Sequence, residues 1–90
     1  MAEYRIAETE TFQKKIGTAS FRRYYPRILK TIYPRLRRNP YYGPNIKRLR
    51  GELSEVFRYR IGDYRLFYSI DAQRNLVFIL DVVHRKDAYR

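Results

Sequence analysis

Cysteine is missing from this 90-residue chain, and histidine occurs once. These two absences exclude a disulfide framework, a cysteine nucleophile and the usual zinc clusters. The acids of the second half, Glu52, Glu55, Asp63, Asp71, Asp81 and Asp87, are scattered without ligand spacing, so no metal site and no cofactor are expected. Long apolar runs are missing too. Nothing approaches the roughly 20 residues of a membrane-spanning helix, and Ala2 to Glu10 carries three glutamates where a signal peptide would be apolar. A cytoplasmic protein with no membrane partner is expected. So short a chain cannot divide into two cores that each fold alone, and residues 1–90 read as one domain.

Acidic residues are also absent from one long stretch. Residues 20–50 hold ten bases (Arg22, Arg23, Arg27, Lys30, Arg35, Arg37, Arg38, Lys47, Arg48, Arg50) and no acid, within a chain of net charge +11. Residues 1–19 are neutral on balance, and residues 51–90 carry seven bases against six acids. A block of this kind implies a polyanionic partner, either nucleic acid or an acidic protein. Arginine outnumbers lysine fifteen to five, and planar guanidinium forks suit phosphate better than ammonium groups do. A basic surface kept only for solubility is the plainer reading, but acidic residues serve solubility at least as well.

The pattern along the chain is α+β. Tyr4 to Ala7 alternates as a short strand. Thr9 caps a helix with Glu10 in its first turn and Phe12 and Ile16 on its apolar face, ending at Gly17. Ser20 offers a second cap, and Phe21, Tyr24 or Tyr25, Ile28, Ile32 or Tyr33 and Leu36 recur at helical spacing to about Arg38. Pro26 and Pro34 predict a bend in that helix or a late start. Asn39 to Asn45 reads as a loop. Val56 to Ile61, Tyr64 to Ile70 and Leu76 to Val83 read as strands, the last central and covered on both faces. The order βααβββ predicts a small, mainly antiparallel sheet with two N-terminal helices on one face.

Gly62-Asp63 is a two-residue hairpin signal that fixes register, setting Ile61 against Tyr64, Arg60 against Arg65, Tyr59 against Leu66 and Arg58 against Phe67. Side chains alternate across a sheet, so Phe57, Tyr59, Ile61, Tyr64, Leu66 and Tyr68 share the core face. Arg58, Arg60 and Arg65 share the opposite face, either splayed into solvent or gathered around an anion. The chain closes with His84-Arg85-Lys86-Asp87-Ala88-Tyr89-Arg90, which combines an acid/base candidate, a phosphate fork and a ring able to stack on a base.

With Asn39-Pro40-Tyr41, Lys47-Arg48-Leu49-Arg50-Gly51, the run from Phe57 to Tyr68 and the tail from His84 to Arg90, the whole chain resembles the RelE-like ribonuclease toxins of type II toxin-antitoxin systems, within the RelE/ParE superfamily. The resemblance implies a protein that enters the ribosomal A site and cleaves mRNA there, held in check by an acidic RelB-like antitoxin. It implies phosphate roles for Arg58, Arg60, Arg65 and Arg85, and a stacking or acid/base role for Tyr89. Some relatives have lysine where Arg58 and Arg60 stand. Arginine cannot give up its proton, so neither of these is the general base, and His84 is the candidate for it. Lys47, Arg48, Arg50, Arg37 and Arg38 are the candidates for RNA and ribosome binding.

Three functions are open at this stage. A ribosome-dependent endoribonuclease would use attack by the RNA 2′-hydroxyl, which needs cationic charge and a base but no metal. A ParE-like inhibitor of DNA gyrase would use the same scaffold for binding alone. A general RNA-binding module would stack bases on the ten tyrosines and five phenylalanines, most of which already belong to the core.

Overall fold

Thr9 is where the chain passes from strand to helix, and its hydroxyl serves both. In the computed structural model, which describes residues 3–49 and 56–87, Thr9 Oγ1 accepts from the Phe12 N–H (3.3 Å) and donates to the carbonyl of Ile79 (2.8 Å). The first helix, α1 (Glu10–Ile16), is thereby capped and tied to the last strand at one point. Its Phe12 and Ile16 enter the core, as their spacing of four requires. Gly17 follows, but with a right-handed φ of −81° it is not a left-handed cap. Thr18 closes the turn instead, its hydroxyl donating to Lys15 O at 2.7 Å.

The second helical segment is bent where the prolines demand it. Its first turn, Arg22–Tyr24, is 3₁₀, and no side chain caps it, so Ser20 does not act as the expected cap. Pro26 and Pro34 each stand at the second position of an α-helical piece, α2 (Tyr25–Arg27) and α3 (Tyr33–Arg38), where that piece takes over from a turn of different pitch. Between them Ile28–Ile32 widens to a π turn, with the Tyr33 N–H reaching Ile28 O. That turn absorbs the ring of Pro34, which would clash with the carbonyl four residues back. Ile28, Ile32, Tyr33 and Leu36 remain aligned on the buried side.

Among the described residues the sheet has five strands in the order β1-β5-β4-β3-β2: β1 (Arg5–Glu8), β2 (Ile46–Arg48), β3 (Val56–Ile61), β4 (Tyr64–Asp71) and β5 (Leu76–His84). Only β1 pairs in parallel, with β5. β2 was not legible in sequence: three residues, one of them apolar, give no alternation to detect. The ladder sets it, with the Arg60 N–H on Asn45 O (2.8 Å) and the Leu49 N–H on Val56 O (2.9 Å). The hairpin pairs as expected, Gly62 being left-handed at φ +54°.

One face of the sheet packs on the helices. Phe57, Tyr59, Ile61, Tyr64, Leu66, Tyr68, Val77, Ile79 and Val82 join the helical apolar residues in one cluster. Each fully buried side chain of this size contributes about 1.5–3 kcal/mol. Glu8, opposite Ile79, accepts from the hydroxyls of Tyr25 and Tyr33, both at 2.8 Å. β5 lies inside the sheet, between β1 and β4, but its other face differs from expectation: Leu76, Phe78, Leu80 and Val83 are only half buried, and α1 reaches that face through Lys15 at Asp81.

Candidate functional site

The uncovered face carries two rows of side chains set by the ladder. Lys47, Arg58, Phe67 and Asp81 stand side by side from β2 to β5, and Arg60, Arg65 and Val83 form the next row toward the hairpin tip. Asp81 is engaged by Lys15 at 3.1 Å, and the described charged side chains of the rows on β2 and β3 are Lys47, Arg58 and Arg60. Lys47 and Arg60 are exposed and Arg58 is half buried.

Arg65 departs from this pattern. It is 5% exposed, and its Nη1 donates to the carbonyls of Gly62 and Tyr64, both at 3.0 Å. The register is as expected, but the guanidinium folds back onto its own hairpin and is not offered to a ligand. The physical reason is local: a two-residue turn exposes carbonyls within reach of the following side chain, and a buried guanidinium must find such partners.

His84 lies on the other side of the sheet. It pairs with Tyr64, a core-facing residue, and borders a hollow lined by Phe21, Arg23, Tyr24 and Lys86. Tyr24 packs against Tyr64 with the rings tilted by 32° (centroids 3.9 Å apart) and lies under the guanidinium of Arg23. Burial pushes the Tyr64 phenol up to about 12. Nδ1 of His84 accepts a long bond from the Lys86 N–H (3.4 Å). The structure therefore does not bring His84 together with Arg58, Arg60 and Arg65.

The remaining candidates divide. Arg85 is held at the hairpin tip, its N–H on Asp63 O at 2.7 Å and its Nε 3.9 Å from the Asp63 carboxylate. Arg48 shares the core side of β2, its guanidinium 5.9 Å from the centroid of the Phe57 ring. Arg37 and Arg38 are exposed at the end of α3. Arg50 and Tyr89 lie outside the described residues.

Residues 7–89 match the family model described as the ParE toxin of the type II toxin-antitoxin system parDE. The chain belongs to the ParE toxin family. This places it in the RelE/ParE superfamily of type II toxins, as the sequence resemblance implied. Toxin RelG of Mycobacterium tuberculosis is 52% identical to it over 44 residues, 49% of this chain. The toxin spans about half, 51%, of that relative's length in the match. Among solved structures, a chain of the toxin-antitoxin complex RelBE2 from the same organism superposes with a TM-score of 0.77 at 32% identity, covering 92% of this toxin and 99% of that chain. A chain of the archaeal RelE-RelB complex from Pyrococcus horikoshii OT3 gives 0.75 at 25% identity, covering 96% and 99%. No described helix of the toxin is long and apolar enough to cross a membrane.

Sequence reasoning counted Arg27 and Arg35 in the basic block but gave them no place. They line a cleft of about 380 Å³ between the bent helix and β3, together with Thr31. The signal was there: positions 27, 31 and 35 repeat every four residues and share one stripe of the helix.

Proposed function

We propose that this type II toxin is a ribosome-dependent endoribonuclease that cleaves mRNA in the A site and so inhibits translation, using the uncovered sheet face as its phosphate site. The observation that carries this reading is the adjacency of Lys47, Arg58 and Arg60 on one face of the sheet, Lys47 and Arg60 exposed and Arg58 half buried. In the reaction the RNA 2′-hydroxyl attacks the neighbouring phosphorus, a 2′,3′-cyclic phosphate forms, and the 5′-oxygen leaves with a proton. Arg58 and Arg60, with Arg85 at the hairpin tip, stabilise the extra charge on the phosphorane-like transition state. Lys47, exposed beside Arg58, adds a cation that holds the RNA backbone at the β2 end of the row. Arg65 supports the hairpin that holds Arg60 in position. Arg48, Arg37, Arg38 and Arg50 make ribosome contacts, and Tyr89 takes the stacking role. An acidic RelB-like antitoxin neutralises the basic block, a reading supported by the RelBE2 and RelE-RelB complexes among the similar structures.

The second reading is a gyrase inhibitor, favoured by the ParE description of the matching family. In vitro translation with and without the toxin, followed by primer extension on the message, separates the two when a gyrase supercoiling assay runs in parallel. Cuts that require translating ribosomes support the first reading. An intact message with blocked supercoiling supports the second.

A further inference from the structure

The cleft beneath the bent helix continues into a second hollow, and the two differ in chemistry. The first, about 380 Å³, is mostly polar and has Arg27, Thr31, Arg35 and Arg60 on its walls. The second, about 290 Å³, is mostly apolar and is bounded by Tyr42, Gly43, Pro44 and Ile46. Arg35, Asn45 and Tyr59 line both, so the hollows form one groove along the helix side of β3 and β2. No acidic residue lines either half among the described residues. Arg35 donates to the neutral hydroxyl of Tyr59 at 3.3 Å, a bond that leaves its charge uncompensated. Arg27 and Arg35 are exposed.

Tyr42 is 80% exposed at the rim of the apolar half, a large aromatic ring left in water although the chain has a core that buries other tyrosines. An exposed ring costs nothing by being unused, but beside an arginine-walled recess it completes a pattern. Single-stranded nucleic acid is held by cations along its backbone and by rings against which its bases stack. Side-chain amides, which donate and accept, match the mixed donor and acceptor edge of a base. Asn45 supplies such an amide on the wall shared by both halves, and Asn39, whose Oδ1 accepts from the Tyr41 N–H at 3.0 Å, adds the donors of its NH₂ group. An acidic peptide would need the arginines only, and would leave both the ring and the Asn45 acceptor without a role.

We infer that this groove is a second RNA site, which takes one nucleotide of a single strand with its phosphate between Arg27 and Arg35 and its base against Tyr42. It lies on the helix side of the sheet, away from Lys47 and Arg58, and meets the uncovered-face site at Arg60, which borders both. It requires no cleavage activity and would serve a toxin that only binds.

The test uses the full chain and a fluorescein-labelled RNA tetranucleotide that is 2′-O-methylated throughout, so that no 2′-hydroxyl can attack. Binding is read by fluorescence anisotropy and by amide chemical-shift changes. Arg27→Ala and Tyr42→Ala should each weaken binding at least about fivefold, as expected for loss of one stacking or phosphate contact, with shifts at Gly43 and Asn45. Wild-type affinity in both variants, or shifts confined to Phe67, Ser69 and their neighbours on the uncovered face, would overturn the assignment. So would a poly-glutamate peptide that displaces the tetranucleotide and binds Tyr42→Ala as it binds the wild type, since that result makes the groove an acidic-peptide site. Because the probe cannot be cleaved, failure here is distinct from failure of the ribonuclease reading.

Discussion

Tyr64 and His84 stand directly opposite each other in the β4–β5 ladder, which puts the single imidazole of the chain on the helix-covered side of the sheet. One position along in register, Arg65 pairs with Val83 on the uncovered side. Two neighbours in sequence thus belong to different surfaces, and a tail that looks like one functional cluster is divided by the pleat.

Arg60 and Arg65 are likewise partners in register but not in role. Arg65→Ala strips two hairpin carbonyls of their donor in a buried setting, at a cost of about 1–3 kcal/mol. Arg60→Ala removes an exposed side chain and should stay within about 0.5 kcal/mol of the wild type. Urea unfolding of both variants checks this. An Arg65→Ala midpoint equal to the wild type would show that the buried guanidinium is dispensable.

The buried tyrosines make the fold sensitive to alkali. Burial, helped by hydrogen bonds to Glu8, pushes Tyr25 up to about 12 and Tyr33 well above its ordinary range. Burial likewise lifts Tyr64 to about 12, and it raises Tyr68. A raised phenol keeps its proton in the folded state when the unfolded chain would release it near ~10. The associated stability is therefore whole below that pH and is lost as pH climbs through the folded values. Tyrosinate absorbance at 295 nm should rise for these four together with loss of far-UV circular dichroism. Their ionisation with circular dichroism intact would contradict the account.

Two glycines should respond oppositely to alanine. Gly62 has φ +54°, so although a methyl group would meet nothing within 4 Å, Gly62→Ala should cost about 1–2 kcal/mol through the backbone alone. Gly17 is right-handed, and a Cβ there would make ordinary 3.7 Å contacts. Gly17→Ala should be neutral or stabilising by up to about 1 kcal/mol. Thermal melts of the pair distinguish the two cases.

Lys47 is exposed and acts through its charge, so Lys47→Ala should weaken ribosome binding and lower its salt slope by about one counterion, while Lys47→Arg, which keeps the charge, should bind as the wild type does. Equal losses in the two variants would show that charge is not what Lys47 contributes.

Much of this was legible in sequence, and the exceptions share a cause. The Gly62-Asp63 turn carried the β3–β4 register, because a two-residue loop leaves the ladder one way to pair. Thr9, Phe12 and Ile16 gave α1 for the same kind of local reason. What depended on distant partners stayed hidden. Ile46–Arg48 is a strand only because β3 lies beside it. Arg65 looks free in a list of alternating residues and is buried only once its own turn folds beneath it. The bend at Pro34 was expected, but its form, a π turn, follows from keeping Ile28 and Leu36 on one buried side.

The division of the sheet into two surfaces is tested most directly by single-turnover mRNA cleavage on programmed ribosomes, comparing Arg58→Ala with His84→Ala. The account predicts a loss of about 10²–10³ for Arg58→Ala, the size expected when one charge-stabilising donor is removed, and a rate near the wild type for His84→Ala. A large loss in His84→Ala with Arg58→Ala unaffected would contradict it and move the chemistry to the helix side of the sheet.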